Sequence, residues 1–302
     1  MLCLYRNDWS KKTWSRRACV FAAISLSGCA FGGIEAPDRG RLLSSAGVTQ
    51  VEGVGGAGLS NWATITGYGS RDSYGATAFS SHIELEDFDM QAVGGAIGIK
   101  NRIELSYAHQ EFDMRNVGAA DGLRPGFKFN QNIIGAKVRL VGDVMYDQNK
   151  VLPQISIGAQ YKTSNDKEEV LAMGADSSSG VDIYVTATKA YLDKSLLLSA
   201  SLRRTRANQL GLLGFGGENT SGYSAQFEGS AVYLLRRDVV LGADYRTKPD
   251  NLEGMGEDDA AAAYIAWFPN KSLSLSVAAV DMGQIANQDR QRGVMLSAQV
   301  GF

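Results

Sequence analysis

The last nine residues constrain the fold most strongly, because apolar side chains occupy every second position from Val294 to Val300 and mostly small or polar side chains stand between them. Side chains along a β-strand point alternately to opposite faces, so the apolar groups of this segment share one face. The chain then ends on an aromatic residue, Phe302. The pattern predicts a C-terminal strand with one apolar and one polar face.

A C-terminal strand of this kind resembles the insertion signal of Gram-negative outer-membrane β-barrels, which the barrel-assembly machinery reads. The resemblance implies that this machinery and outer-membrane lipids are partners, and that the outer membrane is the location. The residues that would form the signal are Val294, Leu296, Ala298, Val300 and Phe302.

The other end of the chain has the features of a secretory signal. Residues 1–17 carry five basic side chains against one acid, Asp8, and an uncharged apolar run follows at 18–26. This order is typical of a signal peptide, and the uncharged stretch 18–34 is shorter than the roughly 20 residues of a spanning helix. We predict a signal over 1–29, a lead-in over 30–40 and a barrel domain over 41–302.

Two interpretations of the processing site stay open. The segment Leu26–Cys29 resembles the bacterial lipobox, in which Cys29 is lipidated and becomes the first mature residue. Alternatively, ordinary cleavage after Ala30 discards that cysteine. All three cysteines lie within the first 29 residues, so we expect neither a disulfide nor a cysteine-based site in the mature protein.

The composition fits a barrel better than a helical membrane protein. Hydrophobic residues make up 44% of the chain, with 35 glycines and 5 prolines. In a transmembrane barrel every second residue faces lipid and the next faces a polar lumen, whereas a helical membrane protein is far more apolar. The net charge is −2, and losing the basic signal makes the remainder more acidic, so nucleic acid is not an expected partner.

Alternating segments of about ten residues recur along the chain, which is the length of a tilted membrane-crossing strand. The clearest are 128–141, 151–162, 180–190, 195–206, 222–235, 239–248, 260–268, 272–281 and 292–302. Weaker ones are 59–70, 73–86, 89–99 and 102–113, and a further strand near 41–52 brings the count to about 14. Twelve strands result if the glycine-rich part Gly53–Gly58 does not pair. The predicted fold class is all-β, an antiparallel transmembrane β-barrel.

Tight polar turns alternate with longer connections, as they do at the periplasmic and extracellular ends of such barrels. Of the long connections, 207–221 and 249–259 are candidates for folding inward and narrowing the lumen. Aromatic residues near predicted strand ends would form interfacial girdles. They are Trp62, Tyr68, Tyr107, Tyr161, Tyr223, Tyr233, Tyr245, Tyr264 and Trp267.

The alternation also selects charged residues that would face the lumen. They are Glu104, Lys137, Arg139, Lys162, Asp182, Arg203, Glu228, Asp244 and Arg246. Charges of both signs suit a water-filled pore for small polar solutes, but they can equally pair across the lumen and close it. We predict a narrow passive channel, with a non-transporting structural or surface-interaction barrel as the alternative.

Other chemistry has weaker support. The spacing of Gly53–Gly58 fits a dinucleotide fingerprint, but no helix is predicted after it, so we expect no nucleotide cofactor. A lipid-modifying enzyme would need His82 with Ser80, or His109 with Ser106, and no nucleophile turn accompanies them, so no catalytic residue is predicted. The acidic loop 249–259 lacks EF-hand spacing and suits a solvated loop better than a Ca²⁺ site. We predict no metal site.

Five stretches resemble one family of exported bacterial proteins, known only as a domain of unknown function and taken to be barrels. The likeness covers about 40–302 and implies an outer-membrane protein, without established catalytic residues. Cys29 lies outside it. The stretches are Gly40–Leu43, Val48–Gly53, Arg206–Gly217, Tyr245–Leu252 and Ser297–Phe302.

Overall fold

A computed structural model describes residues 47–69, 72–119, 123–147 and 150–302. Twelve antiparallel strands form a closed barrel in which each strand pairs with its neighbours in sequence and β1 pairs with β12. The strands are β1 Tyr74–Leu85, β2 Asp89–Ile99, β3 Ile103–Asp113, β4 Lys128–Val141, β5 Gln154–Ser164, β6 Ser179–Tyr191, β7 Leu196–Thr205, β8 Ser224–Arg236, β9 Val239–Arg246, β10 Ala260–Asn270, β11 Leu273–Asp281 and β12 Arg292–Gly301.

The preferred count of about 14 strands is wrong and the stated alternative of twelve is confirmed. The strand predicted at 59–70 and the described part of the one predicted near 41–52 form no barrel strand; instead, residues 47–69 lie inside the barrel. The remaining twelve strands follow their predicted boundaries closely, for example at 89–99 and 128–141. The signal segment, the lead-in and Cys29 lie outside the described residues.

The connections separate the two ends of the barrel. Longer loops join strands at one end, called the loop end, at 114–127, 165–178, 206–223, 247–259 and 282–291, together with the short turn 86–88. The other end, called the turn end, has mostly tight turns, although 142–153 is longer than expected. One short α-helix, α1 (Lys167–Ala172), lies in a loop. In the described part of the chain, no helix has the length and apolar character that a membrane crossing requires.

The outer face of the barrel is apolar on most strands. Strand β7 illustrates the pattern: Leu198 and Leu202 point outward, 40% and 59% exposed, whereas Ser201 and Arg203 point inward and are buried. Strand β12 likewise turns Val294 outward. The side chains of the predicted insertion signal therefore share the outer face. Exposed apolar surface that extends over a whole barrel is not typical of a soluble monomer.

The inner face is densely packed, and glycines make room for aromatic rings. Tyr184 on β6 lies against Gly158 on β5, where a Cβ atom would approach the ring Cζ to 2.3 Å. Tyr264 on β10 lies in the same way against Gly242. Tyr264 was predicted to belong to an interfacial girdle and is instead buried inside the barrel. Trp62, predicted for the same girdle, is also buried in the interior because its segment is not a wall strand.

Candidate functional site

A segment of the chain itself fills the turn-end half of the lumen. Residues 47–69, here called the plug, begin beside β11 and β12, where the Ser274 hydroxyl donates to the Val48 carbonyl oxygen at 2.9 Å. The plug ends beside the C-terminus, where the Tyr68 amide donates to the Phe302 carbonyl oxygen at 2.8 Å. Both ends therefore lie at the turn end, and the segment loops into the barrel and back. Its small residues and turns allow this path, with Gly53 and Gly58 at positive φ.

Polar contacts connect the plug to many strands of the wall. The Asn61 carbonyl oxygen accepts hydrogen bonds from Thr186 at 3.0 Å and Ser201 at 3.1 Å. The Ala63 carbonyl oxygen accepts one from Ser156 at 2.6 Å. Since the plug has little regular structure, these wall side chains satisfy its buried backbone groups. The plug is thus held by many hydrogen bonds, in addition to buried apolar side chains such as Leu59 and Trp62 that belong to the hydrophobic core.

One plug residue, Glu52, is surrounded by three cations. Its carboxylate accepts hydrogen bonds from Lys162, and from Arg246 at 2.8 Å, and it pairs with Arg203 at 3.4 Å. All four side chains are at most 4% exposed. A buried charge needs a compensating partner, so Glu52 ties the plug to strands β5, β7 and β9.

Two wall carboxylates complete this cluster. Asp182 pairs with Lys162 at 2.9 Å and with Arg203 at 3.1 Å, while Glu228 accepts from Arg203 at 2.5 Å. Glu228 also accepts from the plug amide of Asn61 at 3.2 Å. The central charge cluster therefore contains three acids and three bases and is electrically balanced. Its members are Glu52, Lys162, Asp182, Arg203, Glu228 and Arg246.

A second pair and a lone carboxylate hold other parts of the plug. Lys137 and Glu104 pair at 3.0 Å, and Lys137 also donates to the Trp62 carbonyl oxygen at 3.0 Å. Glu104 accepts from the Thr66 amide at 2.7 Å. Asp244 accepts from the Leu59 amide at 3.4 Å. Eight of the nine predicted lumen residues are therefore buried in the interior, and each contacts the plug or the central charge cluster.

The ninth predicted lumen residue, Arg139, lies apart from them. It sits at the turn end, where a bulge interrupts the pairing of β4 with β5, and it pairs with Asp143 of the following connection at 2.6 Å. The residue that sequence reasoning missed is Glu52, which had been assigned to a wall strand. The charges gave no signal for it, because the eight predicted residues in the interior already comprise four cations and four acids.

A loop fills the other half of the lumen. Residues 207–217 are buried, and the Leu210 carbonyl oxygen accepts a hydrogen bond from Lys162 at 2.9 Å. Gln209, Leu210 and Gly211 all have positive φ, which bends this loop sharply. Phe215 lies against Gly180 of β6. This inward loop and the plug therefore meet on opposite sides of Lys162, and the inward folding considered for 207–221 is present.

The space around the inward loop is apolar, which the alternation did not predict. Inward-facing residues near the loop end form a hydrophobic cluster with Leu210 and Leu212. A crevice within it has a volume of about 10 Å³, enough for about one water molecule. Its apolar lining includes Ile83, Leu85, Met90, Phe112, Met282 and Ile285.

A buried ion pair joins three loops over this apolar space. Lys248 lies 3.7 Å from Glu257 and donates to the Gln209 side chain at 3.0 Å and to the Met282 carbonyl oxygen at 2.7 Å. Glu257 also accepts from the Gln209 amide at 2.8 Å. Burial raises the pKa of Glu257 to about 7, although Lys248 acts in the opposite direction. The contact among Lys248, Glu257 and Gln209 is here called the latch. Protonation of Glu257 near neutral pH therefore changes the charge of the latch.

The histidines and serines considered for lipid chemistry are not brought together. Ser106 faces the interior and His109 the exterior of β3, so they cannot act together, and the His109 ring instead lies 3.0 Å from the Asn132 side chain. Ser80 and His82 both face outward, and no hydrogen bond between them occurs among the described contacts. Within the described ranges, no three His, Cys, Asp or Glu side chains are grouped as a metal site.

Taken together, the plug, the charge clusters and the inward loop leave no continuous passage through the described barrel interior. A solute can cross only after the plug and the inward loop have moved. The wall behind the plug is lined with charged, amide and hydroxyl side chains, so a lumen without the plug would hold water.

Comparisons with solved structures find porins and other barrels. The KdgM porin in complex with disordered oligogalacturonate is 11% identical, with a TM-score of 0.49, over 75% of this chain and 99% of that one. The NanC porin is 9% identical, with a TM-score of 0.49, over 74% and 98%. Outer membrane phospholipase A from Escherichia coli is 10% identical, with a TM-score of 0.42, over 78% and 94%. Curated proteins gave no match.

A family model gives the more extensive match. The model described as a protein of unknown function (DUF3034) matches residues 45–299. This range includes the plug from Gly47 onward, the inward loop and all but the end of β12. The chain therefore belongs to the DUF3034 family of proteins of unknown function.

Proposed function

We propose that this protein is an outer-membrane channel for small polar solutes that is closed at rest by its own plug. The single observation that carries the proposal is how the lumen is filled. The plug is a separate segment that enters and leaves at one end and is not part of the strand ladder, so it can withdraw without breaking a pair of wall strands.

The outer face supports the membrane location. Large apolar side chains such as Ile134, Leu202 and Ile265, 60%, 59% and 47% exposed, would be unfavourable in water and favourable in lipid. The closed strand ladder leaves no free edge, which a lipid environment requires. Insertion through the C-terminal strand by the barrel-assembly machinery is part of the same proposal.

The chemistry of the wall supports polar solutes. Once the plug has left, the groups facing the lumen would include Lys137, Lys162, Arg203 and Arg246 together with Glu104, Asp182, Glu228 and Asp244. Four cations and four acids give little net field, so strong selectivity for one sign of charge is not expected.

The alternative is a barrel that does not transport and serves a structural or surface-interaction role. The observation in its favour is the complete pairing of the central charge cluster, since buried charges that satisfy one another also stabilise a permanently closed lumen. The two functions differ in one property, which is whether the plug moves.

Single-channel recording in a planar bilayer separates them. The processed chain should give infrequent, discrete conductance steps. A variant that lacks residues 47–66 and in which the inward-loop residues 208–216 are replaced by a short glycine-serine linker should conduct steadily with larger steps. A control variant keeps the plug intact and replaces the exposed Glu86 with glutamine. If the deletion variant is a folded, heat-resistant barrel and yet stays silent, the channel proposal is wrong and the structural alternative is favoured.

A further inference from the structure

Two arginines at the loop-end rim share one tyrosine ring. The guanidinium carbon of Arg204 lies 5.0 Å from the centroid of the Tyr223 ring, and that of Arg206 lies 5.6 Å from it. The two positive groups are therefore no more than about 11 Å apart. Cation–π contacts of this kind hold the side chains in place but do not neutralise their charge.

Neither arginine forms an ion pair with a carboxylate in the part of the chain that the structure describes. This differs from the inward Arg203, which contacts three acids. In addition, the Nε atom of Arg206 is buried without a hydrogen-bond acceptor. A buried donor without an acceptor is unfavourable, so the arrangement has both uncompensated charge and an unfilled hydrogen-bonding position.

The position of the two arginines on the barrel indicates the source of the missing anion. Arg204 is the penultimate residue of β7, faces outward, and pairs in register with Ile183 of β6 and Ala225 of β8. Directly toward the barrel middle lie Leu202 and Phe227, 59% and 43% exposed. The arginines therefore mark the edge of the apolar band at the loop end, which is the depth of lipid headgroups rather than of acyl chains.

We propose that Arg204, Arg206 and Tyr223 bind the phosphate of a lipopolysaccharide molecule in the leaflet that faces the loops. The planar guanidinium donates two parallel hydrogen bonds to phosphate oxygens. The apolar side chains below would contact the acyl chains of the same lipid. The inference rests on the proposed outer-membrane location but not on solute transport.

Lipid binding by the processed chain tests this directly. The protein is refolded in phosphatidylcholine nanodiscs, titrated with lipid A that carries its phosphates or has lost them, and examined by native mass spectrometry. The phosphorylated lipid should bind about tenfold more tightly or better. The double variant Arg204→Gln/Arg206→Gln should lose this preference, whereas Arg237→Gln, an exposed arginine at the turn end, should keep it.

Substitutions of the tyrosine separate a built site from general surface charge. Tyr223→Phe keeps the ring and should keep the preference, while Tyr223→Ala removes the platform and should weaken it. Heat-resistant migration of each variant establishes that it is folded.

Two outcomes would overturn the proposal. If the double variant binds both forms of lipid A as the wild type does, the arginines are merely solvated surface residues. If millimolar inorganic phosphate displaces the lipid completely, the pair is a site for the free anion. A barrel that is silent in conductance but shows the lipid preference would refute transport alone.

Discussion

Replacing Glu52 with glutamine should shift the barrel from its closed state toward an open one. Glu52 is the plug's contribution to the central charge cluster, and its carboxylate faces Lys162, Arg203 and Arg246. The glutamine side chain has nearly the same shape but no charge. The plug would therefore still fit, while the cluster would carry one excess positive charge that remains buried only when the plug is in place.

The size of the effect follows from the burial of these groups. Removing one member of a buried ion pair costs about 3–5 kcal/mol, because the other member is left without compensation. Withdrawal of the plug admits water to the three cations, so this cost falls on the closed state alone. The ratio of closed to open molecules should then fall by roughly 10²- to 4 × 10³-fold.

Open probability in single-channel recordings measures this ratio. Glu86→Gln removes an exposed glutamate at the loop end and should leave the open probability unchanged. The double variant Glu52→Gln/Lys162→Gln restores charge balance and should lie closer to the wild type than Glu52→Gln does. If Glu52→Gln folds and its open probability equals that of the wild type, Glu52 does not hold the closed state and the reasoning fails.

Three further predictions concern packing and pH. Gly158→Ala places a Cβ atom 2.3 Å from the Tyr184 ring and should destabilise the barrel by about 1–3 kcal/mol in urea unfolding; an unchanged midpoint would contradict this packing. Gly180→Ala displaces Phe215, so hydrogen exchange in 207–217 should accelerate while the wall strands stay protected. If exchange in 207–217 equals that of the wild type, the packing of Phe215 against Gly180 does not hold the inward loop. The pKa of Glu257 is raised above its ordinary 4.5 to about 7, so the folded latch favours the protonated acid. The stabilisation that Glu257 contributes to folding is therefore complete below pH 4.5 and declines until about pH 7, by about 3 kcal/mol in total. Exchange of the loop 247–259, corrected for intrinsic rates, should rise over this range in the wild type and stay flat in Glu257→Gln.

The wall could be predicted from the sequence because lipid imposes a strict alternation. Each wall strand must turn apolar groups outward and smaller or polar groups inward, so the twelve strands and their facing were readable from residues such as Leu202 and Arg203. Closure of the ladder between β1 and β12 then follows from the absence of free edges in such barrels.

The plug was not predictable by the same rule. Residues 59–69 also alternate, but they lie inside the barrel, where their backbone groups meet side chains of the inner wall, so alternation there has another cause. The apolar end of the lumen was missed for a related reason. Inward residues such as Leu85, Phe112 and Phe129 break the expected polar inner face, because they pack against the inward loop rather than face water. The presence of apolar residues on both faces of the wall strands near the loop end would have indicated that the lumen is filled there.

The most direct test of a movable plug is the labelling rate of a cysteine placed beneath it. Ser201 on β7 is 2% exposed and donates to the plug carbonyl oxygen of Asn61, so Ser201→Cys is covered whenever the plug is in place. A charged, membrane-impermeant thiol reagent applied to both sides of vesicles should label it slowly in the otherwise wild-type chain, far faster with Glu52→Gln, and at once without residues 47–66. Immediate labelling of the deletion variant, with lasting protection of the other two, would mean that the plug does not move and that the barrel is permanently closed.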